Sequence, residues 1–166
     1  NMFMTSDYAQ KTIKKLEEEK YQLQSNISNY STFVVSIQEG DPEQLRPEFD
    51  LKATVEKIEE IEKQILKIKH ARNVFNANTK LDGTELTIDV ALIRMSILNG
   101  HYKRYMDMGN KQQKTRKSSY GDSVEYTYTN YDIAYAKELG ESMYNELLSL
   151  QEKLNLVNST VIFEVE

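Results

Sequence analysis

Asn78-Thr79-Lys80-Leu81-Asp82-Gly83-Thr84 divides two long helical patterns and reads as a turn. Asp82-Gly83 supplies the residue that tolerates positive φ. Before it, a helix is expected over about residues 48–77, with Leu51, Val55, Ile58, Ile61, Ile65, Ile68 and Phe75 facing inward. Glu56, Glu59, Glu60 and Glu62 alternate there with Lys57, Lys63, Lys67 and Lys69, a charge pattern that suits a solvated face with weak i,i+4 pairs. After the turn, a second helix is expected over about 86–108, with Val90, Ile93, Ile97 and Leu98 inward, until Gly109-Asn110 ends it. Two long helices joined by a short turn favour antiparallel neighbours.

Upstream, Ile13, Leu16, Leu23, Ile27, Tyr30, Val34 and Ile37 recur in alternating steps of three and four, with Lys20 in the one missing place. That spacing predicts a heptad seam on a helix over about 6–38. Thr5, Ser6 or Asp7 can cap its start, Gly40-Asp41-Pro42 stops it, and Pro47 suits the beginning of the next helix. Downstream, Ala136, Gly140, Met143, Leu147, Leu150, Leu154 and Val157 hold one register on a helix over about 131–157. Between the last two helices, Val124, Tyr126 and Tyr128 alternate with Glu125, Thr127 and Thr129, as in a strand with one face covered. Its partner would run from Lys114 to Ser119 through a turn at Tyr120-Gly121-Asp122-Ser123, giving a β-hairpin over about 114–129. Val161, Phe163 and Val165 alternate as a short strand or docked tail. The expected fold is an all-α single domain over residues 1–166: long antiparallel helical hairpins or a coiled-coil bundle, with one small β-hairpin before the last helix. Narrow seams on helices of about 45 Å are rarely satisfied within one small chain, so a homo-oligomer is expected.

Composition sets the outer limits. The net charge of −5 argues against duplex DNA as a partner, because a phosphate lattice repels a mostly acidic surface. With no cysteine, disulfides, thiolate catalysis and cysteine-based metal sites are excluded. No apolar run approaches the roughly 20 residues that span a bilayer, and Asn1-Met2-Phe3-Met4 lacks the regions of a signal peptide. Asn1 ahead of Met2 reads as a cloning remnant. The expectation is a cytoplasmic protein with no membrane partner.

One stretch departs from this acidic background. Residues 101–120 hold Lys103, Arg104, Lys111, Lys114, Arg116 and Lys117 against the single acid Asp107, while the remainder holds 15 basic and 25 acidic residues. Tyr102, Tyr105 and Tyr120 lie among these cations, a mixture suited to a planar anionic ligand. The competing reading has Tyr126, Tyr128, Tyr131 and Tyr135 packing the hairpin against the helices, with the hairpin's cations guarding a strand edge. Arg72 and Arg94 stand at nearly equal heights on either arm below the turn, with Asn76, Asn78, Thr79 and Lys80 at the tip. They could share an anion, or each could pair with a local acid such as Asp89 or Glu85. Lys103 and Arg104 lie about 25 Å along their helix, too far to join the tip within one subunit, although an antiparallel dimer would bring them together.

No known catalytic pattern accompanies these residues. His70 and His101 lack metal-ligand spacing, and there is no G-x-S-x-G elbow, P-loop or G-x-G-x-x-G turn. No enzyme, cofactor or metal is expected.

The run Ala71-Arg72-Asn73-Val74-Phe75-Asn76-Ala77-Asn78-Thr79, followed by Leu81-Asp82-Gly83-Thr84-Glu85-Leu86-Thr87 and then Arg94, resembles a family of small bacterial helical proteins labelled septicolysin-like. Asn76 and Asn78 match its pattern loosely, and the family's aromatic near the C-terminal end is replaced around Thr160 to Phe163. The resemblance implies a long helical-hairpin protein and no particular activity; nothing in the chain suits the haemolysin-like label.

The leading expectation is a non-enzymatic, oligomeric protein that captures a small anionic, nucleotide-like ligand. In outline it is similar to phage proteins that sequester nucleotide immune signals. Arg72, Arg94, Lys103, Arg104 and Arg116 would meet phosphate; Asn76, Asn78 and Thr79 would read polar edges; Tyr105 or Tyr120 would stack on a base. The alternatives are a coiled-coil scaffold or adaptor, and single-stranded RNA binding along the basic hairpin.

Overall fold

A computed structural model describes residues 1–118, 121 and 123–166. The expected strand end at Ser119, the turn position Asp122 and the stacking residue Tyr120 lie outside the described residues. Among the described residues the chain is mostly helical, but it also carries two small antiparallel sheets, so it is not purely all-α. It divides into two compact units, Asn1–Phe75 with Asn158–Glu166, and Asn76–Val157.

In the first unit, β1 (Met2–Thr5) leads directly into α1 (Ser6–Tyr30). Residue Thr5 caps α1, its hydroxyl oxygen accepting from the Tyr8 N–H at 3.1 Å. The start of the chain is therefore structural: Met2–Thr5 pairs antiparallel with β4 (Ile162–Val165), Met4 opposite Phe163. Asn1, read as a remnant, donates from its side-chain amide to Glu164. Met4, Phe163 and Val165 alternate inward and join Ala9, Ile13, Leu16, Ile65 and Ile68 in one core. The Phe163 ring stacks on Phe75 with centroids 5.0 Å apart.

The heptad seam does not continue to residue 38. α1 ends at Tyr30, where the Ser31 N–H bonds the Ile27 carbonyl, and Val34 and Ile37 are 96% and 103% exposed. Apolar spacing alone cannot extend a helix through Ser31-Thr32 and the β-branched Val34-Val35, which have low helix propensity and no facing surface here. The chain instead makes a 3₁₀ turn (Ile37–Glu39) and the one-turn helix α2 (Pro42–Leu45), capped by Asp41. In the same segment the Arg46 guanidinium binds Glu43, which holds that carboxyl below its usual range, and lies 4.9 Å from the Phe33 ring centre.

α3 (Leu51–Asn78) starts later than expected; Asp50 caps it by accepting from the Ala53 N–H at 3.0 Å. Ile58, Ile65 and Ile68 are buried as the spacing predicts and Ile61 and Phe75 are half-buried, but Leu51 and Val55 are exposed. Part of the charged run binds across to α1: Glu62 to Lys20 at 3.1 Å and Lys69 to Glu17 at 3.3 Å.

In the second unit, the turn is built around Leu81, whose side chain is buried. Its N–H bonds the Leu86 carbonyl at 2.9 Å, and its carbonyl accepts from the Thr84 hydroxyl at 2.9 Å. Gly83 adopts φ 73°, the left-handed conformation that Asp82-Gly83 predicts. α4 (Ile88–Gly109) and α5 (Ile133–Thr160) follow, with the β2–β3 hairpin between them. α4 buries Ile88, Ala91, Met95 and Leu98, not Val90, Ile93 and Ile97, which are 45%, 61% and 47% exposed. Both sets recur at helical spacing. The small residue Ala91 sits on the buried face, and that face continues to the close approach of α4 to α5. There, a Cβ on Gly109 would lie 2.5 Å from Lys137 Cα. α5 buries Ala136, Gly140, Leu150, Leu154 and Val157 as expected, while Met143 and Leu147 of the same register are half-buried. Among the described residues, no helix is long and apolar enough to cross a membrane.

Candidate functional site

β2 (Lys114–Lys117) and β3 (Glu125–Tyr128) pair antiparallel, with Lys114 opposite Tyr128 and Arg116 opposite Tyr126. Side chains alternate across a strand, and directly opposed residues share a face. Lys114, Arg116, Tyr126 and Tyr128 therefore form one face, and Thr115, Lys117, Glu125 and Thr127 form the other. The only acid of the two strands is thus segregated from the tyrosines; Glu125 pairs with Lys117 at 3.7 Å. The Thr129 N–H extends the ladder by bonding the Gln113 carbonyl at 3.0 Å.

On the basic face, Lys114 Nζ lies 4.2 Å from the Tyr126 ring centre and 5.7 Å from that of Tyr128. Such spacing is within reach of cation–π attraction. Both strands are exposed along their whole length, and the two rings face solvent. This corrects the expectation that one face of the strand is covered, and of the competing reading it leaves Tyr131, which donates its hydroxyl to the Met108 carbonyl at 2.8 Å, but not Tyr126 and Tyr128. Arg116 makes no hydrogen bond or ion pair among the described residues. Spacing alone could not choose between stacking platforms and packing residues, since alternating tyrosines serve either purpose.

The other candidate residues fall in both units. Arg72, in the first unit, donates from Nη1 to Gln10 Oε1 at 2.7 Å. The remaining described ones lie in the second unit. Arg94 binds Glu146 of α5 through Nε at 3.0 Å and Nη2 at 2.8 Å. The local acids considered for it are used elsewhere: Glu85 binds Lys80 at 2.8 Å, and Asp89 serves the start of its own helix. Asn76 and Asn78 occupy the last turn of α3, and the Thr79 carbonyl accepts from the Ile88 N–H at 2.8 Å. The Lys103 ammonium lies 6.0 Å from the Tyr102 ring centre, and the Tyr105 ring stacks on His101 at 6.2 Å. Arg104 is exposed and makes no hydrogen bond or ion pair among the described residues.

The first unit also holds a groove of about 530 Å³ lined by Lys67, His70, Ala71, Val74, Glu164 and Glu166. Its mixed charges do not single out an anion or a cation.

No protein-family model matches the chain, and no curated protein matches it significantly. Its fold is similar to that of a functionally unknown conserved protein from Corynebacterium diphtheriae, known from a crystal structure. That likeness has a TM-score of 0.65 at 16% identity, covering 98% of this chain and 100% of the other. At this identity, the likeness shows the fold alone.

Proposed function

We propose that this protein is a non-enzymatic, oligomeric binding protein that captures a planar, anionic, nucleotide-like ligand on the β2–β3 face. One observation carries the reading: the strand register places two cations and two exposed tyrosine rings on the same face, with the hairpin's acid on the other. Lys114 and Arg116 would neutralise phosphate, and Tyr126 or Tyr128 would stack on the base. Lys111, in the link from α4, adds a further cation near β2. Calorimetry and thermal-shift measurements with mono-, di- and cyclic nucleotides test this. Binding that disappears in a Tyr126→Ala/Tyr128→Ala variant supports the reading; no signal with any nucleotide overturns it.

A second reading, single-stranded RNA binding, has a specific observation in its favour. Tyr126 and Tyr128 lie two positions apart on one face, about 7 Å along the strand, so successive bases could stack on successive rings of an open surface. Retention on short RNA that falls steeply with salt, without measurable affinity for mononucleotides, selects this reading over the first.

The helices of each unit are further proposed to pack as antiparallel hairpins. In the first unit, Gln10, Glu17 and Lys20 of α1 meet Arg72, Lys69 and Glu62 of α3, in falling order. In the second, Arg94, Tyr102 and Met106 of α4 meet Glu146, Tyr144 and Gly140 of α5 in the same manner. The resemblance to septicolysin-like proteins, carried by the residues around the turn, agrees with this arrangement.

A further inference from the structure

At about 100° per residue, Val90, Ile93, Ile97, Gly100 and Arg104 fall in one strip of α4, opposite the face that buries Ile88, Ala91, Met95 and Leu98. The three apolar side chains of the strip are exposed, and among the described residues no atom beyond the neighbouring residues and backbone of its own helix lies within 4 Å of where a Gly100 Cβ would be. We propose that this strip is a two-fold interface with a second copy of the chain, α4 lying antiparallel against α4. The inference rests on the oligomeric part of the function proposed above and is independent of the ligand.

The occupant follows from the order of residues along the strip. Its beginning carries Asp89, its end carries Arg104, and the apolar residues lie between them. A two-fold axis midway between Ser96 and Ile97 sets Asp89 opposite the partner's Arg104 and Ile93 opposite the partner's Gly100. Symmetry repeats both contacts, as an isologous interface requires. Gly100 then provides the gap into which the facing isoleucine fits, which accounts for a glycine in the middle of an exposed helix, where it costs helix stability. A parallel pair would place arginine against arginine and aspartate against aspartate; the antiparallel pair also opposes the helix dipoles favourably. Arg104 has no partner among the described residues to give up. Asp89 uses Oδ1 for the Thr87 hydroxyl and the Val90 N–H, leaving Oδ2 for a guanidinium.

This pairing sets the cationic end of one α4 beside the turn-bearing end of the other. Lys103 and Arg104 of one copy thereby adjoin residues 79–87 of the second.

Sedimentation velocity on the full chain over a concentration series, with cross-linking, tests the proposal. Two copies of the 19.3 kDa chain are expected. Ile93→Asp and Arg104→Glu should each yield single copies with unchanged circular dichroism, because both side chains are exposed. In this cysteine-free protein, an Ile93→Cys/Gly100→Cys variant should form a covalent dimer on mild oxidation. The two positions are seven residues apart on one helix, about 10 Å, too far for a disulfide within the chain. A wild-type protein that sediments as a single copy throughout overturns the interface and the oligomeric reading together. Assembly that survives both Ile93→Asp and Arg104→Glu overturns this interface alone, and absence of the covalent dimer overturns its register. Loss of nucleotide or RNA binding in a hairpin variant changes none of these results, so the two proposals fail separately.

Discussion

Gly140 of α5 meets the backbone of Met106 of α4 so closely that a Cβ at Gly140 would lie 2.6 Å from the Met106 backbone nitrogen. Glycine is therefore required at that position for its lack of a side chain, not for its conformational freedom. Gly109 does the same from the other helix: a Cβ there would lie 2.5 Å from both Cα and Cβ of Lys137. Gly140→Ala and Gly109→Ala should each destabilise the fold by about 1–3 kcal/mol, the usual cost of forcing one extra carbon into a close-packed contact. Urea unfolding measures this; two variants as stable as the wild type would mean the helices can part without cost.

The turn should prove as important to stability as the helices. Leu81→Ala removes a buried side chain and should cost about 2–5 kcal/mol. Ile37→Ser, in the 3₁₀ turn beyond α1, should change stability by no more than about 0.5 kcal/mol, because its side chain is fully exposed. Parallel thermal melts of the two variants test the helix boundary and the turn together.

Arg94 and Glu146 are both partly exposed, so their ion pair is screened by solvent. A double-mutant cycle with Arg94→Ala and Glu146→Ala should give a coupling of about 0.5–1 kcal/mol in stability. Ligand affinity should be unchanged by either substitution. A large affinity loss in Arg94→Ala alone would return Arg94 to the ligand site.

The two faces of the hairpin should behave differently. Tyr128→Ala should weaken binding of a nucleotide or short RNA by about 1–3 kcal/mol, the usual worth of one stacked base. Arg116→Ala should weaken it too, with a salt dependence shallower by about one unit of slope if the ligand is RNA. Lys117→Ala, on the opposite face and paired with Glu125, should have little effect. Equal losses at Arg116 and Lys117 in a fluorescence-anisotropy titration would show that overall charge, and not this face, binds the ligand.

Much of the fold was legible because helix periodicity and turn chemistry are local. The inward residues of α5, the left-handed Gly83 and the registers of Ile58, Ile65 and Ile68 all followed from spacing. The end of α1 did not, because a heptad pattern records apolar positions and not whether a surface exists for them to cover. The pairing of β1 with β4 joins strands at opposite ends of the sequence, Met2 with Val165, a register that no local pattern encodes. The candidate site was legible as an excess of cations and tyrosines between residues 101 and 135 and as strand alternation, but not as the cross-strand register that sets Lys114 opposite Tyr128.

By itself, the sequence determined the number of long helices, the turn that separates α3 from α4, and the strand alternation that fixes which hairpin residues share a face. These depend on backbone geometry repeated over a few residues. Only the tertiary structure decided which of two apolar stripes α4 buries, which arginines are already partnered, and that Tyr126 and Tyr128 face solvent. Those outcomes depend on what the rest of the chain brings near, and the deciding contacts, such as Gly140 on Met106 and Glu146 on Arg94, join residues far apart in sequence.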